Sequence, residues 1–307
     1  MPPLVVVAGA TATGKTALAI RLAEALAGEG RPAEVISADS RQVYRGLDIG
    51  TAKASPTDRG RVRHHGLDLV DPDQPFSVSD FTEHALTALA KIAEQKGVAI
   101  LVGGTGLYLR AVARGIDMAA LPHDPETRAA LEHELAAEGL DTLSNRLIAT
   151  APRLAQRTDL RNPRRVVRAL EIATLQGDRP LPPPTGYAGP IIWFGLSVEA
   201  NVHRTWITRR AEGQFAAGLL DEAAALRRRF DPGLAAFSAI GYREAWAVLD
   251  DRLSLVEAIE LDARRNVAFA KRQRTWFRAE PGITWIQAGE RDPLMEPLAL
   301  VRAWLDG

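Results

Sequence analysis

The feature that most constrains this chain is Gly9-Ala10-Thr11-Ala12-Thr13-Gly14-Lys15-Thr16, a G-x-x-x-x-G-K-[ST] string. The apolar run Leu4–Ala8 feeds it, and a helical pattern over Thr16–Ala27 leaves it. In that context the glycines let the loop fold back. Successive backbone N–H groups then converge on phosphate oxygens at a helix N-terminus. Lys15 adds a point charge, and the Thr16 hydroxyl is of the type that ligates Mg²⁺. Without the flanking strand and helix the string would be a glycine turn beside a solvated lysine. With both, it is a site for a di- or triphosphate.

Apolar runs at Glu34–Ala38, Val98–Val102 and Ile191–Leu196 repeat the pattern of the first strand and alternate with longer helical patterns. This predicts an α/β fold, a P-loop NTPase-like parallel sheet flanked by helices. Helices are expected over Ser79–Gln95, with Ser79 as N-cap, and over 201–230 and Ser254–Phe277. From Pro122 to Gln176 the pattern is helical, rich in Ala, Leu, Glu and Arg, without a convincing strand. The proline-rich stretch from Pro180 to Gly186 closes it, since it can be neither helix nor central strand. We therefore read 117–189 as an all-helical insertion domain in a core made of 1–116 and 190–307.

Composition removes several classes of function. Zero cysteines exclude a disulfide scaffold, a cysteine nucleophile and a thiolate metal site. No stretch approaches 18 apolar residues, and Met1-Pro2-Pro3 lacks a basic leader, so a cytoplasmic protein without membrane attachment is expected. The net charge is zero, but the first 150 residues sum to −4 and the remainder to +4.

The expected strand ends supply the next candidates. In an open α/β sheet the ligand crevice lies at the carboxyl ends of the strands. Asp39 follows one strand, and Gly103-Gly104-Thr105-Gly106 follows another that ends without a carboxylate. Asp39 is placed to hold Mg²⁺ or to take a proton from a nucleophile, or else it only caps a turn. Thr105 is placed to donate to a phosphate oxygen, or is a turn hydroxyl. A small-molecule kinase would use the same residues.

Arg264 to Arg278 holds six basic residues and no acidic one, with Arg264, Lys271 and Arg278 seven apart on one helical face and Phe269, Trp276 and Phe277 among them. Arg161, Arg164, Arg165 and Arg168 form a second cluster. Unmixed basic faces in a neutral chain point to a polyanion. The alternative is a solvated face whose aromatics belong to the core. His64-His65 does not suit a metal, because neighbours on an extended segment point oppositely.

These pieces together resemble the tRNA dimethylallyltransferase (tRNA isopentenyltransferase) family over nearly the whole chain. The resemblance rests on Gly9–Thr16, on the run from Asp39 to Lys53, on Val102–Leu109 and on Asp159–Ile172. It continues through Ala239-Ile240-Gly241-Tyr242-Arg243-Glu244 and Lys271-Arg272-Gln273-Arg274-Thr275-Trp276-Phe277. It implies transfer of a dimethylallyl group from dimethylallyl diphosphate to the exocyclic amine of adenosine 37, in tRNAs reading codons that begin with U. By that resemblance Gly9 to Thr16 and Arg210 hold the diphosphate with Mg²⁺ on Thr16. Asp39 is the general base, Thr105 contacts the diphosphate and orients the reacting groups, and the charge on Lys15 neutralises the leaving group. The tRNA anticodon stem-loop is met by Asp39, Ser40, Arg41, Gln42, Thr105, Arg128, Arg164, Arg165, Val166, Val167 and Arg168. Ser238, Ala239, Ile240, Gly241, Tyr242 and Arg243 continue that surface, as do Lys271, Arg272, Gln273, Arg274, Thr275, Trp276, Phe277 and Arg278. Three positions depart from the family: Ala10 stands where proline is usual, Thr13 replaces serine or alanine, and Trp206 replaces the first of two arginines, leaving Arg209 or Arg210 for the diphosphate. A monomer is expected.

Overall fold

The computed structural model describes residues 1–116, 121–179, 182–289 and 293–307. The chain divides into two units, one of Met1–Gly115 with Gly186–Gly307 and one of Ile116–Thr185. Asp117, where the insertion is expected to begin, and Pro180 and Leu181 of the proline-rich stretch lie outside the described residues.

In the first unit the order is β1 (Leu4–Gly9), α1 (Lys15–Gly28), β2 (Ala33–Ser37), α2 (Pro56–Arg61), β3 (His64–His65), α3 (Val78–Glu94), β4 (Val98–Gly103) and α4 (Gly106–Ala113). Among the described residues all strands join one parallel sheet in the order β3-β2-β4-β1-β5-β6, where β5 is Ile191–Ser197 and β6 is Thr284–Gln287. β1 and β4 are buried along their whole length, which is why both read as unbroken apolar runs. Alternate side chains of β1 serve opposite faces. Leu4, Val6 and Ala8 pack with Phe81 and Leu89 of α3 and Leu109 of α4, while Val5 and Val7 pack with Leu18, Leu22 and Leu26 of α1.

The second unit contains α5 (Pro125–Glu138), α6 (Leu140–Thr150), α7 (Pro152–Gln156) and α8 (Pro163–Gln176) around Leu143, Leu147, Val166 and Leu170. The first unit then continues after β5 with α9 (Ala200–Ala216), α10 (Leu219–Arg227), α11 (Tyr242–Leu249), α12 (Leu255–Arg278) and, after β6, α13 (Met295–Asp306).

Three expectations are corrected. The helix expected over 201–230 is two helices, because Gly218 takes φ +102°, a left-handed conformation that ends α9 and starts α10. The N-cap of α3 is Ser77, not Ser79. Its hydroxyl accepts from Ser79 N and Asp80 N, and Asp80 accepts from Ser77 N in return. β3 and β6 are edge strands that were not read from the sequence, since neither carries an apolar run.

Candidate active site

The site begins where β1 becomes α1. A side chain at Gly9 would crowd Thr13 Oγ1, the Leu196 carbonyl and the Lys15 stem, so the loop closes only over glycine. Gly14 takes φ +84° as the N-cap of α1, and Ala12 sits at φ +58° despite its methyl group. Thr13 Oγ1 donates to the Ala10 carbonyl at 2.9 Å, and Lys15 Nζ donates to the same oxygen at 2.6 Å. Burial, then the neighbouring Arg210 charge, pull the Lys15 ammonium down to about 8, against the pull of Asp39.

β2 and β4, adjacent in the sheet, deliver Asp39 and Thr105 to the same end of the sheet as that loop. Ser40 N donates to Thr105 Oγ1 at 3.0 Å, which ties the two strand ends together. Asp39 Oδ1 accepts from Arg41 N at 2.8 Å, so the carboxylate does cap a turn. Its charge nevertheless acts on both Lys15 and Arg210. Gln42 Oε1 accepts from Ser37 Oγ at 2.8 Å, and Gln42 Nε2 donates to the Thr51 carbonyl at 3.1 Å. Gly103, Gly104 and Gly106 are forced by close approach, since a methyl group on them would overlap Ala38, Gln273 and the Trp276 ring respectively.

α9 and α12 close the loop from its far side. Arg210 Nη1 donates to Thr11 Oγ1 at 2.6 Å, whereas Arg209 lies exposed, so Arg210 is the arginine directed at the phosphate loop. Its Nε is buried without a hydrogen-bond partner among the described residues. Asp262 stands behind it, its carboxyl lifted to about 6 chiefly by burial, with Asn266 and Arg210 opposing the rise. Gln273 Oε1 accepts from Thr11 N at 2.8 Å, and its Nε2 donates to the Gly104 carbonyl at 3.0 Å. His203 links the Thr11 carbonyl at 2.8 Å to Arg274 at 3.1 Å. Trp206 is half-buried on the same helix, and nothing in the structure gives it the missing arginine's task.

The segment between Asp48 and Lys53 is held from three directions. Glu222 accepts from the backbone N–H groups of Asp48, Ile49 and Gly50 and from the Tyr242 hydroxyl. Gln214 donates to the carbonyls of Ile49 and Gly50. The buried Lys53 ammonium bonds to the Tyr44 carbonyl, Asp48 and Asp68. A side chain at Gly50 would run into the Tyr242 ring. Sequence reasoning missed His203, Gln214, Glu222 and Asp262, which lie far along the chain from the loops they hold and form no spaced motif.

The residues expected to meet tRNA differ in exposure. The side chains of Val166 and Val167 lie in the core of the second unit, and those of Tyr242 and Phe277 in the core of the first. Their apolar side chains pack inward. Ala239, Gly241 and Gln273 are also buried, and Ile240, Arg274 and Trp276 are half-buried. Arg264, Lys271, Arg272, Thr275 and Arg278 remain exposed on α12, as do Ser238 and Arg243. Arg41 donates to the Ala235 carbonyl at 2.9 Å. In the second unit Arg164 and Arg165 are exposed, while Arg168 and Arg128 turn to the buried Glu171 at 2.7 and 3.2 Å. His64 Nδ1 approaches the Val62 carbonyl and His65 Nε2 approaches Glu34, so the two rings have different partners.

Comparison with known proteins gives a consistent result. A family model described as IPP transferase matches residues 42–280. A tRNA dimethylallyltransferase of Roseiflexus sp. (strain RS-1) is 41% identical over 312 residues, covering 100% of both chains. That of Thermus thermophilus is 41% identical, covering 92% of this chain and 91% of its own. The solved full-length tRNA isopentenylpyrophosphate transferase of Bacillus halodurans is 36% identical, with a TM-score of 0.73, covering 100% of this chain and 97% of that one.

Proposed function

The chain belongs to the IPP transferase family, and from that premise we propose that it is a tRNA dimethylallyltransferase acting on the exocyclic amine of adenosine 37. The observation that carries the reading is the convergence of Lys15, Asp39 and Thr105 at the carboxyl ends of three neighbouring strands, with Arg210 directed at the same loop. Backbone N–H groups of the loop, Lys15 and Arg210 bind the diphosphate of dimethylallyl diphosphate. They stabilise the negative charge that grows as the allylic carbon–oxygen bond breaks. The adenosine nitrogen forms the new bond to that carbon, and Asp39 takes its proton. Thr105, held by Ser40, orients the diphosphate against the amine. A base cannot react inside a stacked loop, so it is flipped into the site, where the Gln42 side chain hydrogen-bonds it.

The residues fit a Mg²⁺ ion carried in with the diphosphate. Thr16 stands in the first turn of α1 with a hydroxyl, and among the described residues no group of three or more His, Cys, Asp or Glu gathers to hold a cation alone. When bound, the ion supplies positive charge to the leaving diphosphate. The exposed arginines and lysine of α12 bind tRNA phosphates, and the Ile116–Thr185 unit grips the anticodon stem-loop through Arg164 and Arg165. No described helix is long and apolar enough to cross a membrane. A tRNA substrate favours action in the cytoplasm.

The test is incubation with radiolabelled dimethylallyl diphosphate, Mg²⁺ and unmodified tRNA. Label in the tRNA is the expected outcome. An unlabelled tRNA, together with ATP-dependent phosphorylation of a small metabolite, would assign the same loop to a kinase.

A further inference from the structure

His203 lies on α9 with almost no exposed surface, although no step above uses it. Its Nε2 is 2.8 Å from the Thr11 carbonyl, and its Nδ1 is 3.1 Å from Arg274 Nη1. A carbonyl only accepts and a guanidinium only donates. One assignment satisfies both: Nε2 carries the proton and Nδ1 is bare. An imidazolium would set its own N–H against the Arg274 N–H, and the opposite tautomer would leave both contacts unmade. Burial and the charges of Arg274 and Lys15 all favour the neutral ring.

Thr11 is the residue this ring holds, and it is held on every polar group it has. Arg210 takes its hydroxyl, Gln273 its N–H and His203 its carbonyl. Gln273 and Arg274 are consecutive residues of the basic helix α12. Thus the backbone of Thr11 is fastened to α12 directly through its N–H and by way of the imidazole through its carbonyl.

We propose that His203 is a positioning residue that, as a neutral Nε2–H imidazole, couples Arg274 of the basic helix to Thr11 of the phosphate loop. It sets the loop, and with it Arg210, for diphosphate. The proposal rests on the diphosphate reading of that loop.

The test compares wild type, His203→Leu and His203→Gln by calorimetric titration with inorganic diphosphate and by steady-state transfer to tRNA. Leucine fills similar space without either bond, whereas glutamine keeps one N–H donor and one carbonyl acceptor. Leucine is expected to weaken diphosphate binding about tenfold, the equivalent of one net buried hydrogen bond. Its effect should fall more on KM for the allylic diphosphate than on kcat, and glutamine should restore most of the loss. Equal diphosphate affinity in all three proteins overturns the proposal, because a ring that only fills space would move melting alone. Should the leucine variant not fold, ¹⁵N spectra of histidine-labelled wild type decide. A bare Nδ1 and protonated Nε2 at neutral pH support the role, and the reverse tautomer or an imidazolium refutes it. Wild type that binds diphosphate yet labels no tRNA would fail the transferase reading while leaving this coupling standing.

Discussion

Gln273 Oε1 accepts the Thr11 N–H at 2.8 Å across 262 residues of chain, and the same side-chain amide donates to the Gly104 carbonyl. One buried amide therefore spans the loops that follow β1 and β4. Its place in a basic, aromatic stretch suggested RNA contact, but the side chain faces inward. Gln273→Leu strands the N–H of half-buried Thr11 and the carbonyl of half-buried Gly104, together costing about 1–3 kcal/mol. The expected outcome is a lower denaturation midpoint and weaker binding of inorganic diphosphate, with the salt dependence of tRNA binding unchanged. A change in that salt slope without loss of stability would return Gln273 to the RNA surface.

Asp39 caps a turn and is the proposed base, and substitution separates the two roles. As a turn cap it accepts from Arg41 N, and an asparagine oxygen can do the same. As a base it needs a carboxylate. Asp39→Asn should lower turnover by about 10²–10⁴, the usual share of general base catalysis, while melting and tRNA affinity hold. Near-normal turnover in single-turnover assays would exclude it as the base.

Lys15 makes diphosphate affinity depend on pH. Burial, and then the Arg210 charge, lower its ammonium to about 8. A bound diphosphate favours the charged form, so binding at that pH takes up a proton. Affinity should fall as pH rises through 8, and calorimetry in buffers of different ionisation enthalpy reads the uptake. Lys15→Met should bind more weakly, and the proton uptake around pH 8 that belongs to the lysine should disappear. Uptake in the variant equal to wild type would show that another group titrates.

The exposed and buried residues of α12 should behave oppositely. Lys271→Ala should reduce the slope of log affinity for tRNA against log salt by about one, the signature of one lost phosphate contact. Phe277→Ala should instead cost about 3–5 kcal/mol of stability through the cavity it leaves. Val166→Ala in the second unit should destabilise by the same mechanism, to a smaller degree because fewer methyl groups are removed. Unfolding curves and salt titrations of the three variants separate the two kinds of position.

What the amino-acid string determined by itself is whatever local physics writes into consecutive residues. The unbroken apolar runs of β1 and β4, with the apolar stretches of β2 and β5, announced a parallel sheet. Gly9 to Thr16 announced a phosphate loop, because a backbone that folds back on an anion needs glycine at fixed intervals. The unmixed basic face of α12 was equally legible, since helical spacing alone places Arg264, Lys271 and Arg278 together. Only the tertiary structure decided which members of those motifs face inward. Val166, Tyr242 and Phe277 sit among charged neighbours in sequence yet pack in cores, because a helix always has a second face. It also recruited His203, Glu222 and Gln273 to loops more than 150 residues away. A hydrogen bond between distant segments leaves no periodicity in the chain; it exists only after the sheet has brought its strand ends to one edge.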